Sequence, residues 1–196
     1  MGAVVEACTD TILTQVRLLR MIASEFSNFA STPAVRPAAV DVAALLDGRL
    51  APYLTAPDGQ VAFRQTVARD LPPASADPVL ASRALSNLLE NALQAMGGTG
   101  VVRVDAMSST DVSGRNGIRI TIGDSGPGMD GRALARAFEP YFSTKATGTG
   151  LGLPIARRNI EACGGTVAME SAAGAGTTAI VWLPCWVPPA GSTTAA

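Results

Sequence analysis

The first 31 residues carry apolar side chains at helical spacing. From about residue 5 to residue 30, the apolar positions are separated by alternating steps of four and three residues, which is typical of a helix packed against other helices. A helix of about 25 residues would be roughly 38 Å long at 1.5 Å per residue. We expect other helices to cover its apolar stripe, most simply from a second copy of the chain; the alternative is packing on the domain that follows. The stripe consists of Ile12, Val16, Leu19, Ala23, Phe26 and Ala30.

A mixed pattern of helices and strands follows a proline-containing segment. Pro33 and Pro37 end the first helix, so a linker is predicted at residues 32–40. The clearest helix start beyond it is Asp77-Pro78, which combines a capping side chain with a proline in the first turn. The predicted helices are 42–54, 77–96, 132–138 and 154–163, and the predicted strands are 61–67, 101–107, 118–122, 166–170 and 177–183.

These elements predict a domain organisation and a fold class. We expect residues 1–31 to form the long helix, 32–40 a linker, 41–186 a folded domain and 187–196 a disordered polar tail. The domain is predicted to be α+β, a two-layer α/β sandwich with helices on one face of a mixed, mostly antiparallel sheet.

Composition excludes several kinds of chemistry. The 196 residues include 15 Lys+Arg and 16 Asp+Glu but no histidine, which excludes Ser-His or Cys-His nucleophiles and histidine-ligated metals within this chain. The net charge of −1 argues against broad binding of nucleic acid phosphates. We expect no leader sequence, no membrane span and no direct membrane contact in this segment. Cys8, Cys163 and Cys185 form no C-x-x-C pair, which favours buried or unreactive thiols in a reducing cytoplasm.

The first candidate site is a pair of asparagines on the predicted helix 77–96. Asn87 and Asn91 are four residues apart and therefore share one helix face, while apolar neighbours form the buried face. Amide oxygens suit a hard, partly hydrated ion such as Mg²⁺, which proteins usually share with substrate phosphates. The alternative is that both residues are ordinary polar residues on a solvated face.

The second candidate site follows the predicted strand 118–122 and comprises residues Asp124 to Met129. A carboxylate at a strand end, followed by Gly126 and Gly128, lets the backbone pass close to a flat ligand. Asp124 could accept a hydrogen bond from an exocyclic amine such as that of adenine. The alternative is a simple turn built from Asp, Gly and Pro.

The third candidate site is a glycine-rich stretch, Ser143 to Pro154, that leads into a helix. Alternating glycines from Gly148 to Gly152 precede Pro154, so free N–H groups at the helix start can form an anion cradle. Lys145 is placed to add a positive charge beside a phosphate. The stretch is not a P-loop, because it lacks the G-x-x-x-x-G-K-[ST] pattern and no strand leads into it. The alternative is a flexible linker.

In this order and spacing, the sites resemble the ATP-binding domain of the sensor histidine kinases, a fold shared with DNA gyrase, the Hsp90 chaperones and the mismatch-repair ATPases. The resemblance covers about residues 40–184 and implies the Bergerat-type ATP-binding fold. The N-terminal run is similar to the second dimerisation helix of the NtrY/NtrB-like nitrogen-regulation kinases. The matching motifs are the N box (Asn87–Asn91), the first glycine box (Asp124–Gly128), the F box (Phe138–Phe142), the second glycine box (Gly148–Gly152) and the terminal hairpin (Gly174–Pro184).

The resemblance implies ATP and Mg²⁺ as cofactors and a role for each matching residue. Asn91 would hold Mg²⁺, with Asn87 and Glu90 supporting the phosphates or the waters of the ion. Asp124 would bind the adenine amine, with Thr177 in the same network. The pocket floor would be shaped by Gly126 and Gly128, and a lid over the triphosphate would comprise Lys145, Thr147, Gly148, Thr149, Gly150, Leu151 and Gly152, anchored by Phe138 and Phe142.

One departure within this superfamily concerns hydrolysis. Members that hydrolyse ATP carry a glutamate base four residues before the second asparagine, where this chain has Asn87. An amide cannot take up a proton, so spontaneous hydrolysis is predicted to be slow. This favours transfer of the γ-phosphoryl group to the imidazole of an acceptor.

The acceptor itself is missing, because such kinases place it on the first dimerisation helix and this chain begins around the second. The chain could be part of a sensor kinase whose parent is an inner-membrane protein, a split kinase that acts on a separate histidine-bearing protein, or a non-catalytic nucleotide-binding module that docks a partner. The expected partners are ATP, the missing dimerisation helix or that separate protein, a cognate response regulator, and a second copy through residues 5–30.

Overall fold

The computed structural model describes residues 34–54, 61–145 and 148–188, together with five N-terminal positions, Thr9, Ile12, Leu13, Gln15 and Val16. These five positions have helical backbone conformation and exposed side chains. The rest of the predicted first helix, the contact predicted through residues 5–30, and residues 189–196 of the predicted tail lie outside the described residues. The elements are β1 (Ala38–Val40), α1 (Val42–Leu54), β2 (Val61–Val67), β3 (Ala74–Ala76), α2 (Pro78–Met96), β4 (Gly100–Thr110), β5 (Asn116–Asp124), α3 (Gly131–Ala135), α4 (Gly152–Ala162), β6 (Thr166–Ser171) and β7 (Thr177–Pro184).

Five of the strands form one sheet in the order β2-β4-β5-β7-β6. β2 runs parallel to β4, and the other neighbouring pairs are antiparallel. Alternate residues of β4, β5 and β7 are buried and share one core with the apolar faces of α1, α2 and α4. This arrangement confirms the predicted α+β sandwich with helices on one face of a mixed, mostly antiparallel sheet.

Some element boundaries differ from the prediction. β4 and β5 are longer than expected, because their ladder continues to the pair Thr110 and Asn116 at the turn. α3 ends at Ala135 rather than at residue 138, since Arg136 leaves the helical conformation with ψ near 0°. α4 begins at Gly152, before the proline that was expected to open it.

Two short strands were not predicted. β1 pairs antiparallel with β3, with Val40 opposite Ala74, and so the last three residues of the predicted linker belong to a two-stranded sheet. The N–H of Trp186 donates to the carbonyl of Pro73 at 2.8 Å, which brings the chain beyond β7 alongside β3. Three residues are too few to show the period-two alternation by which a strand is recognised.

Asp77 caps α2 as its position before Pro78 predicts. Its Oδ1 accepts hydrogen bonds from the N–H groups of Val79 (2.9 Å) and Leu80 (3.1 Å), and its Oδ2 accepts from the N–H of Arg36 at 2.9 Å. Burial by itself raises the pKa of the Asp77 carboxyl, but the three N–H groups outweigh it and hold the pKa below its ordinary value. The cap therefore joins the segment before β1 to the helix that carries the N box.

Replacing Asp77 by Ala is expected to lower the free energy of unfolding by about 1–2 kcal/mol at neutral pH. Because the pKa is depressed in the folded state, the contribution of Asp77 is present above the unfolded-state pKa of about 3.9 and is lost as the pH falls through the folded-state value. Urea denaturation at pH 7 and near pH 3 should therefore show the difference between wild type and variant shrinking in acid. Asp41→Ala, which removes an exposed cap with one N–H donor at 3.1 Å, is the matched control. An equal loss of unfolding free energy in Asp77→Ala and Asp41→Ala would contradict this account.

Candidate functional site

A pocket of about 350 Å³ opens between α2, the start of α4 and the segment that connects β5 to α4. Its wall also includes the first residue of β7. Residues from all three candidate sites therefore meet at one cavity, although they are far apart in the sequence. The predicted site residues that line it are Asn87, Glu90, Asn91, Gly128, Lys145, Gly148, Thr149, Gly150, Gly152 and Thr177.

Other predicted site residues lie elsewhere. Asp124 and Gly126 are beside the cavity without lining it, and Leu151 is almost fully buried in the protein interior. Thr147 lies outside the described residues. The lining residues that the sequence pattern did not indicate are Gln94, Ala95 and Ala137. Phe142, expected to anchor the lid, also forms part of the wall, as do five members of the second and third candidate sites that had no assigned role: Pro127, Met129, Ser143, Thr144 and Leu153.

Helical periodicity was a usable signal for one of the missed residues. Gln94 lies three positions after Asn91 and seven after Asn87, so it shares their helix face. Ala95 and Ala137 are ordinary apolar positions of predicted helices and carried no comparable signal.

Asn87 ties α2 to the start of α4. Its Nδ2 donates to the carbonyl oxygen of Gly152 at 3.1 Å, and its side chain is half-buried at the pocket wall. This contact uses one of the two amide hydrogens, so Asn87 can offer a ligand its oxygen and its second N–H. The contact holds the second glycine box against the N box.

Lys145 reaches across the pocket to α2. Its ammonium donates to Oδ1 of Asn91 at 2.8 Å, to the main-chain oxygen of Asn91 at 3.1 Å and to Oε1 of Gln94 at 3.3 Å. Burial lowers the pKa of the Lys145 ammonium, and the nearby charge of Asp124 acts in the opposite direction. The oxygen of Asn91 thus already faces a cation, which a metal ion at the same oxygen would have to displace.

Asp124 ends β5 opposite Thr177 of β7. Its Oδ1 accepts a hydrogen bond from the N–H of Gly126 at 2.8 Å. Burial raises the pKa of the Asp124 carboxyl, and the N–H groups of Gly126 and Thr177 and the charge of Lys145 offset this only in part. The carboxylate therefore lies at the edge of the cavity, next to Thr177, which lines the cavity.

Gly128 lets the first glycine box pack closely against the turn between β6 and β7. It has a φ of +67°, and a Cβ there would overlap the carbonyl oxygen of Ala172. In the same contact, the N–H of Gly174 donates to the carbonyl oxygen of Pro127 at 2.6 Å. The turn and the glycine box are consequently fixed as one unit beside Thr177.

Gly128→Ala is expected to lower the free energy of unfolding by about 2–4 kcal/mol, because it combines a left-handed backbone with a collision against main chain. Gly131→Ala, at the first residue of α3 with nothing within 4 Å of the added methyl group, is the matched control and should be close to neutral. Thermal denaturation of both variants checks this, and a Gly128→Ala protein as stable as the control would contradict it.

The F box forms the base of the lid segment. Tyr141 is the one non-glycine residue in the described ranges with a positive φ, +64°, and its N–H donates to the carbonyl oxygen of Gly150 at 3.1 Å. The guanidinium of Arg136 lies over the Phe142 ring at 4.2 Å, and that of Arg157 over Phe138 at 5.2 Å. The F box is therefore joined to the second glycine box through the backbone, and to α4 through the contact between Phe138 and Arg157.

The described residues contain no group of three or more His, Cys, Asp or Glu side chains placed to hold a metal. Asn87, Glu90 and Asn91 nevertheless supply two amide oxygens and a carboxylate on one turn of α2. An ion there would need further ligands from water or from a bound phosphate, as Mg²⁺ usually has.

Residues 76–186 match the protein family described as histidine kinase-, DNA gyrase B-, and HSP90-like ATPase. The chain belongs to this family. The matched segment includes all five motifs, from the N box to the terminal hairpin. The family-level resemblance predicted from those motifs is therefore confirmed.

Individual relatives point to the sensor histidine kinases within this family. The chain is 36 % identical over 169 residues to the sensor histidine kinase ZraS of Escherichia coli (strain K12), covering 85 % of this chain and 35 % of ZraS. It is 32 % identical over 174 residues to the nitrogen regulation protein NtrY of Azorhizobium caulinodans, covering 85 % of this chain and 22 % of NtrY. Its fold matches full-length ShkA in complex with AMPPNP with a TM-score of 0.70 and 26 % identity, over 89 % of this chain and 37 % of ShkA.

The chain spans about a third or less of the length of these relatives. It contains the ATPase-type catalytic domain found in the sensor histidine kinases. NtrY is among these relatives, although the identity to ZraS is higher. Within the described ranges, no helix has the length and apolar character needed to cross a bilayer.

Proposed function

We propose that this chain binds Mg·ATP in the 350 Å³ pocket and donates the γ-phosphoryl group to a histidine supplied by another segment or protein. The observation that carries the proposal is the convergence of the N box, the glycine-rich segment and the first residue of β7 on one cavity. Its volume is within the range of small-molecule sites, about 300–1,000 Å³. The relatives, which are sensor histidine kinases, support the same function.

The donors on α2 suit the metal that this function requires. Asn91 would hold Mg²⁺ through the oxygen that Lys145 now contacts at 2.8 Å, with Asn87 and Glu90 supporting the phosphates or the waters of the ion. When bound, the ion would neutralise negative charge on the phosphates. Lys145, displaced from Asn91, would remain in the lid as a second positive charge for them.

The other residues bind and orient the nucleotide. Asp124 accepts a hydrogen bond from the adenine amine, and Thr177 completes that end of the pocket. The N–H groups of the glycine-rich segment and of the first turn of α4 bind the phosphates. The acceptor imidazole attacks the γ-phosphorus, a phosphorus–nitrogen bond forms, and the bond to the bridging oxygen breaks to release ADP. Asn87 cannot act as a base for water, so hydrolysis competes poorly.

The wider assignments rest on the relatives and the sequence. We propose that a dimerisation helix or a separate histidine-bearing protein supplies the acceptor, and that a cognate response regulator receives the phosphoryl group. Residues 5–30 would form a homodimer contact, and the chain would work in the cytoplasm.

Isothermal titration calorimetry with ATP, with and without Mg²⁺, tests the binding half of the proposal. We expect one site per chain, with tighter binding when Mg²⁺ is present. In a separate phosphate-release assay without an acceptor, we expect ATP hydrolysis to stay slow. Absence of saturable binding would overturn the proposed function, and rapid phosphate release by the pure protein would overturn the assignment of Asn87. A chain that binds ATP but never transfers phosphate would be the non-catalytic module named above.

A further inference from the structure

Ser171 sits at the centre of a small hydrogen-bond network behind the adenine end of the pocket. It is the last residue of β6 and is half-buried. Its Oγ accepts from the N–H of Met129 at 2.8 Å and lies 2.8 Å from the carbonyl oxygen of Gly176. It also lies 2.9 Å from Oγ1 of Thr177, a contact in which either hydroxyl could donate.

The neighbouring groups decide the direction of that last contact. A hydroxyl carries one hydrogen, and a carbonyl oxygen can only accept. The hydrogen of Ser171 is therefore donated to Gly176, so Ser171 must accept from Thr177. The hydroxyl hydrogen of Thr177 consequently points away from the ligand, and the lone pairs of its Oγ1 remain for the pocket, which Thr177 lines.

Thr177 also pairs across the ladder with Asp124, whose carboxylate can only accept. Both side chains at this end of the pocket thus offer acceptors, which suit the 6-amino group of adenine and repel the 6-oxo group of hypoxanthine or guanine. We propose that Ser171 is a positioning residue that sets the preference for 6-amino over 6-oxo purine nucleotides by holding the Thr177 hydroxyl as an acceptor. This inference rests on the proposed function, since it requires the purine to lie beside Asp124 and Thr177.

The test compares the dissociation constants of ATP and ITP, because the two nucleotides differ only at position 6 of the purine and at the adjacent N1, which carries a hydrogen in ITP. In Ser171→Ala, Thr177 is free to turn its hydrogen into the pocket, so ATP should bind less tightly and ITP more tightly. We expect the dissociation constant of ITP divided by that of ATP to fall about tenfold, which corresponds to the free energy of about one hydrogen bond. Ser171→Thr, which keeps the hydroxyl, and Ser108→Ala, the same change at an exposed position of β4, should keep the wild-type ratio.

Two further variants separate positioning from a purely structural role. Ser171→Cys fills the same space with a weak hydrogen-bond partner, so it should keep the fold and narrow the ratio in the same direction. In a Thr177→Val background, Ser171→Ala should not change the ratio further, because the hydroxyl it orients is gone.

Equal weakening of ATP and ITP in Ser171→Ala would overturn the inference, as would an unchanged ratio or a further change in the Thr177→Val background. In each of those cases wild-type ATP binding would leave the proposed function standing. If the wild-type protein binds neither nucleotide, the proposed function fails and this inference fails with it.

Discussion

Replacing Asn91 by Ala is expected to abolish the effect of Mg²⁺ on ATP binding. The Oδ1 of Asn91, which lies 2.8 Å from the Lys145 ammonium, is the oxygen that we assign to the ion. Without it, the affinity for Mg·ATP should fall by about 100-fold, equivalent to roughly 3 kcal/mol. Calorimetric titrations of the variant with ATP should give the same affinity in Mg²⁺ and in EDTA.

The matched control for this variant lies one turn further along α2. Gln94 accepts another hydrogen bond of Lys145, at 3.3 Å, but is not assigned to the ion. Gln94→Ala should therefore keep the Mg²⁺ effect of the wild-type protein. If Asn91→Ala also keeps it, the ion is held elsewhere and our assignment of the N box is wrong.

Replacing Asp124 by Asn is expected to weaken ATP binding by about 100-fold, because a half-buried acceptor for the adenine amine becomes a group that also presents N–H donors. The amide oxygen can still accept from the N–H of Gly126, as Oδ1 does at 2.8 Å, so the turn should be preserved. Circular dichroism should show a native spectrum, and calorimetry should show the loss of affinity.

Asp130→Asn is the control for the change from carboxylate to amide. Asp130 caps α3 by accepting from the N–H of Ala133 at 2.7 Å, and it does not line the pocket. Its substitution should leave ATP affinity unchanged. Equal affinity in Asp124→Asn and in wild type would mean that the purine does not lie beside β5.

Local signals made much of the fold predictable. α2 combines a capping aspartate, a proline at its start and a continuous apolar face, all within its own residues. β1 and β3 lacked such signals, because each has three residues and they pair with each other across the intervening α1 and β2. The parallel pairing of β2 with β4 was likewise a property of the assembled sheet.

The motifs indicated which residues belong to the site but not how they contact one another. Lys145 and Asn91 are 54 positions apart, and a lysine in a glycine-rich segment carries no local signal for the oxygen that it will contact. Ser171 is an ordinary polar residue of a strand until the chain brings Met129 and Gly176 to it. The motif assigned Asp124 to the adenine amine, and the structure places it opposite Thr177 in the ladder, beside the cavity without lining it.

Transfer of phosphate to a supplied acceptor tests the central claim most directly. The protein would be mixed with Mg²⁺, ATP labelled at the γ-phosphate, and a purified histidine-bearing helical hairpin, with a hairpin whose histidine is replaced by glutamine as the control. We predict acid-labile label on the histidine-bearing hairpin only, and slow release of free phosphate when no hairpin is present. Label that remains on ATP although the protein binds both ATP and the hairpin would contradict the assignment of this chain as a phosphoryl donor.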